Sequence, residues 1–594
     1  MFFALALITI DLAAGLHAKV VETGGDEFYL KTMWSVVYWS IQVLAWLVIP
    51  LCQQYPYTGE FSFFRKLLAS IWANLLFYIV IGAVGVVVGV ALAISVLVYN
   101  GKNPDEAISV NIQEVILIAK SISNAFGLTM LICFLGYGMV EFPRYLWNQS
   151  NMERKLAFFQ FQGAKLYDQL QDEYDILLTK LDVVRRLDSK ISHEDDLRKY
   201  VDIMMETAKE EMIIAKQKGD VRSSSNGEPL PDDIRRAYLV KIHKELIDAI
   251  RAHQKAEYQW EHLQKQAFWC EDVINSRNNP TKAISSPFRK TRRVVPASVE
   301  FYYYKYARKH LYRLLTVAFI PFVLILCYSE FVPLLSKHVA TDKNLSVLGL
   351  FIRTMDNNRF LLQVVGLGLL STIATMLYYG MFNMDLISMY QVIPHHSDAA
   401  SLLYSTVFLC RCVPALCFNF LQMLGIKSDD QVAFYSVMGI MQLDGLAAVG
   451  KIGVWFSDYF PILLVVVAVL TLFNIVDRLA ATCGRERFTF KSLDDQSIQE
   501  GKILLQKSRR RRVLEMRSNG EDTELDTSSD IVLQVQPDVD SYNLSDDDVD
   551  SDGGNSLPAN MNSKLSKSTA DRLKSVYEKH NKKKREREKN KSSK

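Results

Sequence analysis

Long runs without a charged residue constrain the fold of this chain more than any other feature of its sequence. Leu67–Tyr99, for example, contains 33 consecutive residues and no Asp, Glu, Lys or Arg. A helix that crosses a lipid bilayer needs about 20 predominantly apolar residues, so runs of this kind predict membrane spans. We interpret seven runs in this way: Trp34–Cys52, Leu67–Tyr99, Ser121–Val140, Leu314–Ser329, Phe360–Asn383, Ala399–Leu424 and Tyr459–Val476. The sequence therefore predicts an all-α fold, a polytopic transmembrane helix bundle in a lipid bilayer.

Two further apolar segments allow more than one interpretation. Ala433–Phe456 is interrupted by Asp444 and Lys451, and it fits an extra crossing, a re-entrant segment or an interfacial helix. Met1–Gly15 is too short to cross the bilayer comfortably, and it lacks the positively charged start of a signal peptide.

Charged residues are concentrated between and after these runs. The chain has 68 Lys and Arg against 65 Asp and Glu, a formal net charge of +3. This balance argues against a globally basic nucleic-acid-binding protein, so no nucleic-acid partner is expected. Only 8 of the 594 residues are cysteine, which argues against a disulfide framework.

The positions of Lys and Arg predict the orientation of the bundle. Short flanks rich in these residues lie preferentially on the cytoplasmic side. Such residues flank the spans at Arg65, Lys66, Arg144, Arg154, Lys155, Lys305, Arg308, Lys309, Arg313, Arg478, Arg485, Arg487 and Lys491. The central charged block and the C-terminal tail are therefore expected in the cytoplasm, in a protein of the plasma membrane or an endomembrane. Asn344-Leu345-Ser346 then lies outside, which makes Asn344 a candidate N-glycosylation site.

The central block, residues 151–276, predicts two long helices broken near Gly219–Pro231. Apolar residues recur every seven positions, as Leu170, Leu177, Val184 and Ile191 in the first helix and as Leu239, Leu246, Trp260 and Ala267 in the second, where His253 interrupts the repeat. Heptads with charged outer faces are typical of coiled coils, and we expect an antiparallel helical hairpin. Two roles remain open, a link between two halves of the bundle and a docking platform for cytosolic proteins.

The tail turns polar from about residue 492. It contains a basic stretch at 507–517, an acidic stretch at 519–554 and a Lys-rich end. Blocks of this composition predict disorder, although the run Arg509–Arg512 could contact anionic lipids. Ser545 and Ser551 lie beside acidic residues and are candidate phosphorylation sites.

The chain is thus divided into four segments. We predict an N-terminal membrane half at 1–150, a coiled-coil hairpin and linker at 151–305, a C-terminal membrane half at 306–490 and a disordered cytoplasmic tail at 491–594.

Arg411 is the most informative single residue because it lies near the middle of a predicted span. A charge at that depth costs on the order of 2.5–3.5 kcal/mol, so Arg411 should face the bundle interior and have a partner. Glu330 and Asp444 are the two candidate partners. The resulting polar site of Arg411, Glu330 and Asp444 is either a structural ion pair or part of a ligand or ion pathway.

The usual motifs of enzymes are missing from the sequence. It contains no G-x-x-x-x-G-K-[ST], no G-x-S-x-G and no H-E-x-x-H. His395 and His396, followed by Asp398, lack the i, i+4 spacing of a helical zinc site, and a loop contact or helix cap explains them better. We predict a protein that is not an enzyme and that has no catalytic, metal-binding or cofactor-binding residues.

Five stretches of the sequence resemble one protein family, the limb-region-like (LMBR-like) multipass membrane proteins. They are VVYWSIQVLAWLVIPLCQQY (36–55), FLGYGMVEFPRYLWN (134–148), QWEHLQKQAFWCEDV (259–273), HHSDAASLL (395–403) and LCRCVPALCFNFL (409–421). The resemblance covers about residues 1–515. It implies roughly nine spans, a cytoplasmic coiled-coil insert, an association with G-protein-coupled receptors and an influence on their signalling. It transfers no catalytic residues.

The resemblance differs at the N-terminus, where members of the family have two spans before Trp34–Cys52. Met1–Gly15 resembles only the end of the second, so the chain is expected to be truncated or to start differently.

Two functions compete: a receptor-like or signalling regulator, and a transporter or transport subunit with Arg411 in its pathway.

Overall fold

The computed structural model describes residues 2–18, 25–100, 112–218, 230–231, 233–289, 295–339, 346–355, 358–384, 397, 399–426, 432–438, 452–475 and 495–518. Within these ranges the chain forms helices and connecting loops, and it contains no strand. The prediction of an all-α fold is confirmed.

The membrane bundle, as we name the apolar helices, comprises α1–α5 and α9–α15. Their bounds are α1 Phe2–Ala18, α2 Gly25–Val43, α3 Ile49–Gln54, α4 Phe63–Asn100, α5 Ile112–Gln149, α9 Ala297–Tyr302, α10 Arg308–Val339, α11 Val347–Arg353, α12 Arg359–Asn383, α13 Ala399–Met423, α14 Ala433–Met438 and α15 Ile452–Leu472. A π-helical turn, Leu44–Val48, joins α2 to α3, and a second one, Tyr303–Ala307, joins α9 to α10.

Among the described residues, six helical stretches are long and apolar enough to cross a membrane. They are Phe28–Tyr57, Phe63–Val80, Asn124–Gln149, Ala297–Val332, Arg359–Asn383 and Ala399–Met423. Each overlaps one of the seven predicted runs, so the prediction of a polytopic membrane protein is confirmed. The seventh run lies on α15, whose apolar part Tyr459–Leu472 is shorter.

α5 is the central helix of the bundle and packs against α10, α12, α13 and α15. Glycine allows its closest crossing: a Cβ atom placed on Gly380 of α12 would lie 2.0 Å from the Phe134 carbonyl oxygen of α5. Without a hydrophobic driving force in lipid, small residues at such crossings let two backbones approach and gain dispersion contacts. The Phe134 side chain is itself fully buried.

The insert domain is our name for the three helices between the two halves of the bundle together with the last described helix. It comprises α6 Met152–Lys190, α7 Arg198–Gln217, α8 Arg236–Asn275 and α16 Asp495–Ser518. α6 and α8 run antiparallel, since Tyr167 contacts Trp260 and Lys180 pairs with Glu245. Residues of the predicted heptads, such as Leu177 and Leu246, are fully buried in this domain.

The structure corrects the prediction of one helix between residue 151 and Gly219, because the chain breaks after Lys190. Arg198 accounts for the break: it donates to the carbonyl oxygens of Asp188 and Ile191 and pairs with the Asp188 carboxylate at 2.6 Å. The Asp195 carboxylate accepts the Leu197 N–H at 2.9 Å. Side chains that bond to the local backbone in this way end one helix and start the next.

The structure also corrects the prediction of disorder for Asp495–Ser518, which forms α16. Leu505 and Val513 are buried, and Gly501 allows α16 to lie directly on α6. The high average charge of this segment hid its buried positions, Gly501, Leu505 and Val513, which lie four and eight residues apart. Residues 519–594, which include Ser545 and Ser551, lie outside the described residues.

Candidate functional site

Arg411 lies on α13 with only 7% of its surface exposed. Its guanidinium carbon is 4.3 Å from the centre of the Trp46 ring, and Nη1 lies 3.5 Å from the Gln42 Oε1 atom. Trp46 belongs to the π-helical turn Leu44–Val48, and π-helical turns occur frequently at functional sites. Tyr38, Gln42, Asn124 and Arg411 line a small crevice between α2, α5 and α13.

Glu330 lies elsewhere, against Asn419. The Asn419 amide donates to the Glu330 Oε1 atom at 2.8 Å, and both side chains are buried. Within the described residues no ion pair joins Glu330 to Arg411, so these two groups belong to separate clusters. Asp444, the other candidate partner of Arg411, lies outside the described residues, as do Asn344, His395, His396 and Asp398.

Asp11 is another buried charged residue of the bundle, and the sequence interpretation did not include it among the candidate site residues. Its carboxylate accepts the Trp34 indole N–H at 2.8 Å and the backbone N–H groups of Ala433 and Phe434 at 2.9 and 2.7 Å. A carboxylate is favourable at a helix N-terminus because the free N–H groups there carry partial positive charge. Asp11 therefore fixes α1 to the start of α14. The sequence signal that could have identified this site is Asp11 itself, a single acidic residue in an otherwise apolar helix.

The loop between α3 and α4 connects the bundle to the insert domain. Gly59 has a positive φ of 65°, and a Cβ atom there would lie 2.6 Å from the Val240 carbonyl oxygen of α8. The His243 ring donates from Nδ1 to the Gly59 carbonyl oxygen at 2.7 Å. Phe61 stacks on the His243 ring, with the ring centres 4.6 Å apart.

Charged contacts surround this junction. Arg236 of α8 pairs with Glu60, and the Arg251 guanidinium lies 4.7 Å from the centre of the Tyr57 ring. Arg251 also donates to the Pro56 carbonyl oxygen at 3.3 Å. The loop is therefore held to α8 along several turns. A movement of α3 or α4 would displace these contacts and so reach the insert domain.

We expect the junction to weaken in acid because of His243. Burial lowers the pKa of His243, and the positive charge of Lys66 lowers it further, while the bond to Gly59 acts in the opposite direction. Below the ordinary value of 6.5 the unfolded chain binds a proton that the folded His243 resists, so stability falls as pH falls. The thermal midpoint of the wild type should drop more between pH 7.5 and pH 5 than that of His243→Gln.

His193→Gln is the control for this measurement, since His193 is exposed just after α6. It should keep the pH dependence of the wild type. Equal pH dependence in the wild type and His243→Gln would contradict the role given to His243.

α16 makes the second attachment of interest. A Cβ atom on Gly501 would lie 1.6 Å from the Gln160 carbonyl oxygen of α6, so the two helices cross in direct contact. Arg509 pairs with Glu271 at 2.8 Å and with the buried Asp272 of α8. Its guanidinium also lies 5.7 Å from the centre of the Phe268 ring. Arg509 is thus held within the insert domain, and its guanidinium is engaged by protein groups and not by lipid.

The described polar residues act mainly as contacts between helices. Across the part of the chain that the structure describes, no group of three or more His, Cys, Asp or Glu side chains is placed to hold a metal ion. The described polar clusters join helices to one another: α1 to α14, α10 to α13, the α3–α4 loop to α8, and α16 to α8.

Comparison with known proteins identifies the family of this chain. Residues 18–476 match the model of the family described as LMBR1-like membrane protein. The chain is 28% identical to LMBR1 domain-containing protein 2 homolog A of Dictyostelium discoideum, over 81% of this chain and 63% of the relative. It thus spans less than two thirds of that relative's length.

Animal proteins are similar over the same share of this chain. The chain is 28% identical to the human G-protein coupled receptor-associated protein LMBRD2, over 81% of this chain and 69% of the relative. It is 25% identical to the Drosophila melanogaster LMBR1 domain-containing protein 2 homolog, again over 81% and 69%. No solved structure matches the chain. The family match covers most of the chain, from α2 to α15, and the chain therefore belongs to the LMBR1-like family of integral membrane proteins.

Proposed function

We propose that this chain is a non-enzymatic membrane protein that associates with G-protein-coupled receptors and modulates their signalling. The single observation that supports this most is the similarity to relatives named for receptor association, which covers 81% of the chain. We further propose that the insert domain faces the cytoplasm and binds receptors or cytosolic proteins there. Basic flanks such as Arg65 and Lys66 support this orientation.

The structure of the insert domain favours such a role. Its helices α6 and α8 are 39 and 40 residues long, about 60 Å each, so the domain offers a long surface to a partner. Its core is well packed, with Leu177, Val184 and Leu239 fully buried. A rigid domain presents a partner with a preorganised surface, and binding then costs less conformational entropy.

Proximity labelling in cells tests the association itself. A labelling enzyme fused to the C-terminus of the full chain should enrich G-protein-coupled receptors over an unrelated multipass protein of the same compartment that carries the same enzyme. Enrichment of no receptor and no trafficking component would contradict the proposed association.

Co-purification tests whether the folded insert domain is the binding element. Arg509→Ala removes a buried partner of Asp272 and should reduce the amount of receptor recovered with the chain. Arg511→Ala is the matched control because Arg511 is exposed and pairs with Glu515 one turn away on its own helix. Equal recovery with both variants would place receptor binding elsewhere, while the association could still stand.

A second candidate function, transport of a small ligand, is supported by Arg411 and the crevice beside it. The two functions differ in which variant they tolerate. If the protein transports a ligand through the bundle, Arg411→Leu should abolish its cellular phenotype and Arg509→Ala should spare it. A signalling regulator that acts through the insert domain should show the reverse order.

A further inference from the structure

The pair formed by Glu330 of α10 and Asn419 of α13 has an incomplete set of hydrogen bonds. Glu330 is 2% exposed and Asn419 is fully buried. The Asn419 Nδ2 group donates to Glu330 Oε1 at 2.8 Å. The amide oxygen of Asn419, Oδ1, is buried and has no hydrogen-bond partner among the described residues.

The chemistry of the two groups decides what is missing. An ionised carboxylate can only accept hydrogen bonds, so it has nothing to offer the Asn419 oxygen. A carboxylic acid carries one O–H group, which can donate to that oxygen beside the existing bond. The acid and the amide then form two parallel hydrogen bonds, and the unpaired buried oxygen, which would otherwise cost free energy, is satisfied.

The same conclusion holds if the amide is turned over. Oδ1 of Asn419 would then face the Glu330 carboxyl group, and two oxygen atoms make a hydrogen bond only if a proton lies between them. In both orientations of the amide, the pair therefore completes its hydrogen bonds only when Glu330 is protonated.

The surroundings also disfavour an ionised Glu330. Within a membrane span an unpaired charge is expensive, and buried charges normally have a countercharge. In the described part of the chain Glu330 takes part in no ion pair. Arg411 lies eight residues before Asn419 on α13, about 12 Å along the helix axis, and it contacts Trp46 and Gln42.

We infer that Glu330 and Asn419 form a proton-binding site within the membrane bundle, in which a carboxylic acid pairs with a carboxamide between α10 and α13. Proton uptake from water forms one O–H bond on Glu330 and changes no other covalent bond. Release of the proton leaves a carboxylate with a single N–H donor. Ionisation of Glu330 therefore requires the contact between α10 and α13 to open to water.

Two variants of Glu330 in the purified full-length chain test this site. Glu330→Gln keeps a carbonyl group and supplies an N–H group where the acid has its O–H, so it should melt close to the wild type at pH 7. Glu330→Leu leaves Asn419 without any partner and should melt clearly lower. In the infrared spectrum, the difference between the wild type and Glu330→Gln should contain the carbonyl stretch of one protonated carboxylic acid.

A monovalent cation is the alternative ligand, because Ser329 also has a buried hydroxyl without a partner among the described residues. Sodium, potassium and choline chloride at equal concentration distinguish the two. A proton site predicts the same melting temperature in all three salts. The inference is overturned if sodium or potassium stabilises the wild type but not Glu330→Gln, if the carboxylic-acid band is missing, or if Glu330→Gln melts as low as Glu330→Leu.

Discussion

Gly380→Ala is expected to destabilise the membrane bundle by about 3 kcal/mol, because the new methyl group has no room. A Cβ atom at this position would lie 2.0 Å from the Phe134 carbonyl oxygen, and backbone atoms cannot turn aside as a side chain can. α5 and α12 must therefore separate along their whole crossing and lose the dispersion contacts around it. A lower thermal midpoint of the purified full-length chain in detergent would measure the effect.

Gly368→Ala is the matched control, since it makes the same substitution on the same helix. No atom lies within 4 Å of a Cβ placed on Gly368. Alanine also has a higher helix propensity than glycine by about 1 kcal/mol, so this variant should melt at or above the temperature of the wild type. A similar loss of stability in both variants would contradict the close crossing of α5 and α12.

Arg509→Ala is expected to release α16 and to lower the stability of the insert domain by about 3–5 kcal/mol, the usual cost of breaking one side of a buried ion pair. Asp272 is 3% exposed, so it would be left as a buried charge without its guanidinium partner. Limited proteolysis should then cut within Asp495–Ser518, and the thermal midpoint should fall.

Arg511→Ala should change stability by less than about 1 kcal/mol, because the Arg511 side chain is 81% exposed and pairs with Glu515 one turn away. The double variant Arg509→Ala with Asp272→Asn should recover part of the loss, since no charge then remains buried. If Arg509→Ala and Arg511→Ala behave alike, Arg509 does not hold α16 in place.

The membrane part of the fold could be predicted because its signal is local. Runs such as Phe360–Asn383 and Ala399–Leu424 differ by one residue at most from the ends of α12 and α13. Every backbone group in lipid must be bonded within the chain, which leaves a helix as the form of an isolated apolar run. Composition along the sequence is then sufficient to predict where these helices begin and end.

The pairing of polar residues could not be predicted because it depends on contacts across long distances in sequence. Asp11 contacts Phe434, and Glu330 contacts Asn419, although nothing in either local sequence indicates the partner. The cost of burying a charge predicts an interior position for Arg411, but it cannot identify which residue faces it, and Glu330, proposed as its partner, contacts Asn419 instead.

α16 shows the same limit in a polar segment. Its charged residues predict disorder when the segment is considered alone, and the stabilising groups lie on other helices. Gln160 offers its backbone to Gly501, and Glu271 and Asp272 pair with Arg509. Tertiary contacts thus order a helix that its own composition would not stabilise.

Hydrogen–deuterium exchange of the full-length chain in lipid nanodiscs tests most directly whether the insert domain is one folded unit attached to the bundle. Amides of α16 should exchange as slowly as those of α6 and α8, and amides of the loop 56–62 should exchange more slowly than those of an unstructured peptide, because both segments are held by contacts to α8. Exchange of Asp495–Ser518 and of residues 56–62 at the rate of an unstructured peptide would contradict the account.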